Sequence, residues 1–106
     1  MESGHIEDHQ VTASSSYDVV TGPVSARLNK ERAGGAWCPR QMVGRADSKE
    51  YLEIDLETIH VISATESQGR FGNGRGAEFV ENYMLEYWRP GINNWYTYKR
   101  WDSEKV

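Results

Sequence analysis

From residue 50 to residue 57 the chain alternates. Leu52, Ile54 and Leu56 fall on one side of an extended backbone, and Tyr51, Glu53, Asp55 and Glu57 fall on the other. A period of two is the mark of a half-buried strand. The same period runs through residues 82–88, where Tyr83, Leu85 and Tyr87 oppose Met84, Glu86 and Trp88. It returns in residues 95–101, where Trp95, Thr97, Lys99 and Trp101 oppose Tyr96, Tyr98 and Arg100. Between these two stretches lies Arg89-Pro90-Gly91-Ile92-Asn93-Asn94. Its Pro-Gly and Asn-Asn pairs supply turn geometry, so the spacing predicts a hairpin with a longer loop. Residues 58–65, with Ile59, Val61 and Ile62, form a continuous apolar run suited to a strand buried on both faces. Helical periodicity is poor everywhere, and residues 14–23, 29–49 and 66–77 read as loops. Short strands with long loops describe a β-sandwich, whose binding surface is built from the loops at one end.

The chain's 106 residues allow one domain at most. Four Trp, six Tyr and two Phe can fill a small core. That core is thin, and a missing segment would leave part of it exposed. A net charge of −4 argues against a nucleic-acid partner, which needs a basic face to neutralise phosphate. It also argues against a polybasic grip on acidic lipids. No stretch approaches the ~18 apolar residues of a membrane span.

Chemistry-bearing residues are sparse. Cys38 is the single cysteine, set in Gly34-Gly35-Ala36-Trp37-Cys38-Pro39. Its thiol is free, or it is half of a disulfide whose other half lies outside these residues. A catalytic thiolate with His60 as base needs an electropositive setting and an orienting acid, and neither is evident, so a structural cysteine is the better reading. Gly69, Gly72, Gly74 and Gly76 suggest a phosphate loop only if a helix follows, and residues after Gly76 carry no helical pattern. They read instead as a loop presenting Arg70 and Glu78. His5, Asp8 and His9 are three polar candidates for a metal where a structural zinc site has four ligands, so they read as a solvated lead-in. Glu50, Glu53, Asp55 and Glu57 include a same-face row of acids, the wet side of a strand rather than a pair held across a cleft. No catalytic residue, metal site or cofactor is assigned. Tyr17, Trp37 and Arg70 lie in loops, where such residues serve either as binding anchors or as packing beneath the end of the sandwich.

Longer motifs narrow this reading. Met1-Glu2-Ser3-Gly4-His5-Ile6 and Val11-Thr12-Ala13-Ser14-Ser15-Ser16-Tyr17 resemble the opening of discoidin (coagulation factor V/VIII type C) domains. In that family a cysteine precedes the first motif, so Met1 is expected to be internal to a longer chain. Ala26-Arg27-Leu28, Gly35-Ala36-Trp37-Cys38-Pro39, residues 50–56, Ser67-Gln68-Gly69-Arg70, Gly72, Glu78-Phe79 and residues 83–87 are similar to the discoidin domain receptors, collagen-activated receptor tyrosine kinases. The resemblance implies an all-β fold: a discoidin-type, jelly-roll-like antiparallel β-sandwich, incomplete at the C-terminus, with residues 1–106 forming a partial domain. It implies a place on the extracellular side of the plasma membrane, with a transmembrane segment, a kinase domain and the disulfide partner of Cys38 all outside this chain, in a receptor able to dimerise.

The resemblance also implies a site that binds collagen. Tyr17 takes the place of an aromatic that packs on the triple helix, a Trp in vertebrate members. Thr21 matches a threonine of the same pocket. Cys38, through its disulfide, forms part of the wall, and Trp37 buttresses it. Arg70 and Glu78 match polar contacts that fix the ligand. One position departs: Gly34 stands where vertebrate receptors carry an aspartate bridged to the arginine, which leaves Arg70 to lean on Glu78 alone. Other discoidin modules bind glycans or phospholipid head groups, and that is the alternative the resemblance carries.

Overall fold

The computed structural model describes residues 1, 3–30, 34–41, 50–70, 76, 78–80 and 83–99. Among these, Val11 is the buried apolar side chain, 3% exposed, and the first sheet forms around it. Strand β1 (Val11–Ala13) pairs antiparallel with β2 (Leu52–Ile54), setting Val11 opposite Ile54, Thr12 opposite Glu53 and Ala13 opposite Leu52. Two backbone bonds extend the ladder: the Asp55 amide donates to the Gln10 carbonyl at 2.8 Å, and the Ser14 amide to the Tyr51 carbonyl at 2.9 Å.

Side chains clamp this sheet from the N-terminal side. A 3₁₀ turn (Asp8–Gln10) leads into β1, and the Gln10 side-chain oxygen accepts from the Glu7 amide at 2.8 Å. The Gln10 amide group donates across to the Asp55 carbonyl at 2.7 Å. His9 sits between Glu57, at 2.8 Å, and Glu7, at 3.3 Å. A second 3₁₀ turn (Pro23–Ala26) begins on a proline, whose fixed φ suits a first helical position. Arg27 follows it. Its guanidinium donates to the Met1 carbonyl at 2.6 Å, the Ile6 carbonyl at 2.7 Å and Asp8 Oδ1 at 2.8 Å. Neither 3₁₀ turn is anticipated by the sequence.

Residues 82–88 and 95–101 form the expected hairpin in their middle portions. Strand β3 (Glu86–Tyr87) pairs antiparallel with β4 (Tyr96–Thr97), with Glu86 opposite Thr97 and Tyr87 opposite Tyr96. The Tyr98 amide adds a bond to the Leu85 carbonyl at 2.7 Å. The connecting loop turns through Gly91 at φ 100° and Asn93 at φ 50°, the two residue types that tolerate the left-handed region. The rings of Tyr87 and Tyr96 stack with centroids 6.1 Å apart, as facing cross-strand aromatics do. Asn82, Arg100 and Trp101 lie outside the described residues.

Two expectations need correction. Residues 58–65 are not a doubly buried strand. They pair with no strand among the described residues, and Ile59, Val61 and Ile62 are 74%, 95% and 57% exposed. A strand buried on both faces needs a ladder partner and a layer over each face. The described residues supply neither, so the apolar run stays solvated. His60, placed by the sequence in that buried strand, is exposed and turns Nδ1 to its own neighbour's carbonyl, Thr58 O, at 2.8 Å. The alternation of residues 50–57 likewise yields a shorter strand. Ile54 remains 39% exposed while Glu53 is half-buried, because β1 offers a partner only three residues long.

The described residues are thus all-β, with antiparallel strands in two small sheets and no α-helix. Among them no helix is long and apolar enough to cross a membrane.

Candidate functional site

Two loops dock edge to edge beside the first sheet. The Tyr17 amide donates to the Cys38 carbonyl at 2.8 Å, and the Cys38 amide donates back to the Thr21 carbonyl at 3.0 Å. A third bond runs from the Gly34 amide to the Val20 carbonyl at 2.8 Å. Loop 17–21 and segment 34–38 therefore form one backbone unit. A glycine at position 34 permits the contact: a Cβ there would stand 2.6 Å from the Val20 carbonyl oxygen and 2.7 Å from the Thr21 methyl.

Loop 17–21 is also tied within itself. Thr21 is buried, 5% exposed. Its amide and hydroxyl both donate to Asp18 Oδ1, at 2.9 Å and 2.6 Å, and its hydroxyl oxygen accepts from the Asp18 amide at 3.2 Å. An aspartate whose carboxylate captures donors later in its own turn is a recurrent loop device. The hydroxyl of Thr21 is the main cause holding the Asp18 carboxyl below the ordinary aspartate range, with backbone amides and the positive charge of Arg70 adding to it. What the loop then presents outward is Tyr17, 71% exposed, and Val19, 96% exposed.

Beneath the loops lies a polar platform. The Trp37 indole donates to the Ser15 carbonyl at 2.9 Å, which fixes the ring against the base of the Tyr17 loop. Ser14 and Ser15 hydroxyls both donate to Glu50 Oε2, at 2.5 Å and 2.7 Å, and the Arg40 amide donates to Ser15 Oγ at 3.0 Å. Those hydroxyls, Ser14 first, hold the Glu50 carboxyl below its usual range, with help from the charge of Arg40. Glu50 is half-buried and staples the platform, on the face that the alternation gives to Leu52 and Ile54.

Arg70 and Glu78 meet as anticipated. The Arg70 amide donates to the Glu78 carbonyl at 2.9 Å, and Arg70 Nη1 lies 3.7 Å from Glu78 Oε1. Close packing of Gly69 holds the two segments together: a Cβ there would be 3.2 Å from the Glu78 carbonyl oxygen and 3.1 Å from the Phe79 Cβ.

The structure thus joins Tyr17, Thr21 and Cys38 through direct backbone bonds, ties Trp37 to Ser15 beneath them, and pairs Arg70 with Glu78. Asp18, Ser15 and Glu50 are the residues that reading the sequence missed. The signal for Asp18 was available, since an Asp followed three residues later by Thr is a turn signature. Cys38 is half-buried, and the chain holds no second cysteine to pair with it. Among the described residues no three His, Cys, Asp or Glu side chains converge on a metal position. Gly72 and Gly74 lie outside the described residues.

The F5/8 type C domain model matches residues 10–106. The chain belongs to the F5/8 type C, or discoidin, family. Relatives include Discoidin domain-containing receptor A of Caenorhabditis elegans, 47% identical over 93% of this chain and 13% of its own length. Epithelial discoidin domain-containing receptor 1 of Homo sapiens is 36% identical over all of this chain and 12% of the receptor. The human EGF-like repeat and discoidin I-like domain-containing protein 3 is 34% identical over 93% of this chain and 21% of that protein. The chain therefore spans about an eighth of the length of the two receptors.

Proposed function

We propose that this discoidin segment is a recognition module, not a catalyst, and that it binds a collagen triple helix on the extracellular side of a receptor tyrosine kinase. Residues 1–106 form part of a jelly-roll-like sandwich whose remaining strands lie elsewhere in the parent chain. The binding residues are Tyr17, Thr21, Trp37, Cys38, Arg70 and Glu78, and Cys38 pairs with a cysteine outside this segment. The observation that carries the reading is the reciprocal bonding of Tyr17, Cys38 and Thr21, which leaves a flat, exposed ring on a rigid loop. A triple helix is a stiff rod with outward ring and apolar side chains. A rigid aromatic shelf with an Arg beside it can grip such a rod without a deep cavity, and a preformed ligand lowers the ordering cost.

Binding of triple-helical collagen peptides to the complete ectodomain tests this. Tyr17→Ala and Arg70→Ala should each cost about 1–3 kcal/mol, as anchor residues do. Unchanged affinity in both variants overturns the site.

One observation favours a second reading. Tyr17, Val19 and Val20 are 71%, 96% and 50% exposed at one loop tip, which is the form of an apolar spike for a lipid surface. Asp18 in the middle of that tip and the net charge of −4 oppose anionic membranes. Co-sedimentation of the ectodomain with phosphatidylserine vesicles, and none with collagen peptides, would install the lipid reading in its place.

A further inference from the structure

We propose that Asp18 is a positioning residue for Tyr17: its carboxylate, locked onto Thr21, fixes loop 17–21 so that the Tyr17 ring is aimed before a ligand arrives. The proposal deepens the collagen reading and rests on it for the ligand.

The loop is pinned at both ends, and Asp18 spans the gap between the pins. On the near side, the Tyr17 amide donates to the Cys38 carbonyl at 2.8 Å. On the far side, the Val20 carbonyl accepts from the Gly34 amide at 2.8 Å and from the Ser25 hydroxyl at 2.9 Å. The Thr21 carbonyl accepts from the Cys38 amide at 3.0 Å. Thr21 and Ser25 are buried, 5% and 8% exposed, so the far side is anchored in the body of the molecule. Asp18 and Val19 are exposed between the pins. Pins at the two ends alone would leave that tip free to pivot. Asp18 Oδ1 closes it by accepting from the Thr21 amide at 2.9 Å and the Thr21 hydroxyl at 2.6 Å. The Asp18 amide returns a bond to the same hydroxyl oxygen at 3.2 Å.

Three bonds between two residues make the lock, and one of them uses the only hydrogen that a threonine hydroxyl has to give. An ionised acceptor strengthens the two that reach the carboxylate. Tyr17 depends on this lock because its ring is 71% exposed. The ring takes its direction from the backbone beneath it, not from side chains packed around it. An anchor aimed in advance has fewer positions to lose when a ligand binds.

Asp18→Ala removes the lock, whereas Asp18→Asn keeps an oxygen for both Thr21 donors. In the complete ectodomain, Asp18→Ala should weaken binding to a triple-helical collagen peptide roughly fivefold, in the range of coupling between neighbouring side chains. Asp18→Asn should recover most of that loss. In a Tyr17→Ala background, Asp18→Ala should cost nothing further, because no ring is left to aim. An equal loss in both backgrounds would mean that Asp18 touches the ligand or serves the fold at large, and would overturn the proposal. So would an Asp18→Asn loss as large as that of Asp18→Ala, since the charge and not the Thr21 bonds would then matter. A ligand-free measurement separates these failures from failure of the collagen reading. Backbone order at Tyr17, measured by NMR relaxation, should fall in Asp18→Ala and hold in Asp18→Asn. Unchanged order in Asp18→Ala overturns the lock. Reduced order in an ectodomain that binds no collagen peptide upholds the lock and removes collagen as its purpose.

Discussion

The two sheets of this molecule are built by opposite means. The first joins β1 and β2 from distant parts of the sequence, and side chains brace it at both ends: Gln10 across to Asp55, Arg27 onto Met1 and Ile6, Ser14 and Ser15 onto Glu50. The second joins β3 and β4, neighbours in sequence, across the loop 88–95 and relies on turn geometry and one pair of stacked rings. Closing a long loop costs chain entropy that three residue pairs of ladder cannot offset alone, so cross-linking side chains are needed. A hairpin closes cheaply but is marginal by itself. The candidate rim hangs on the first sheet, where the bracing is.

Substitutions can break or sharpen that contrast. Gly34→Val should have the largest effect. Its β-carbon meets the Val20 carbonyl and the Thr21 methyl, and overpacking of this kind costs about 3 kcal/mol. Denaturant unfolding of the complete domain should show the loss, and collagen binding should fall with it. Arg27→Leu should follow at about 2 kcal/mol, since it strips two carbonyls and a carboxylate of a guanidinium whose side chain is only 12% exposed. Hydrogen exchange should quicken at the Asp55 and Ser14 amides and stay unchanged at Tyr98. Equal quickening in the hairpin would show that the two sheets unfold together and dissolve the comparison.

Thr21→Val removes the hydroxyl from Asp18 and should cost about 1 kcal/mol. It should also raise the Asp18 titration toward the ordinary range. Gly91→Ala tests the hairpin side. Nothing lies within 4 Å of the added carbon, so only the positive φ resists it, and the cost should stay at or below about 1 kcal/mol. A larger loss would mean that the hairpin loop is packed against something.

Acid should have the mildest and most local effect. Asp18 and Glu50 titrate below their ordinary values in the folded chain. Their contribution is therefore complete above the ordinary carboxylate range and fades as pH falls through their lowered folded values. Amides at Tyr17, Cys38 and Tyr51 should lose protection there before the hairpin does.

How much of this was legible without coordinates depends on distance along the chain. The hairpin was readable, because alternation and turn residues act over a few neighbours: Gly91 and Asn93 adopt the left-handed φ their types permit. The motifs around Trp37 and Arg70 were enough to group the rim residues by family resemblance. The run at 58–65 misled, because its composition describes a strand whose partners the described residues do not contain. Glu50 marks the same limit. Its parity groups it with Leu52 and Ile54, and nothing in that spacing says that two serines far upstream will bond it.

Local order, turn positions, family membership and the presence of an aromatic and an arginine in loops all follow from residue type and spacing, which act between near neighbours. The meeting of Tyr17 with Cys38, the room that Gly34 leaves for Val20 and the grip of two serines on Glu50 arise only in three dimensions. Hydrogen bonds and charges between distant segments depend on where the backbone carries them, and no periodicity in the sequence encodes that placement.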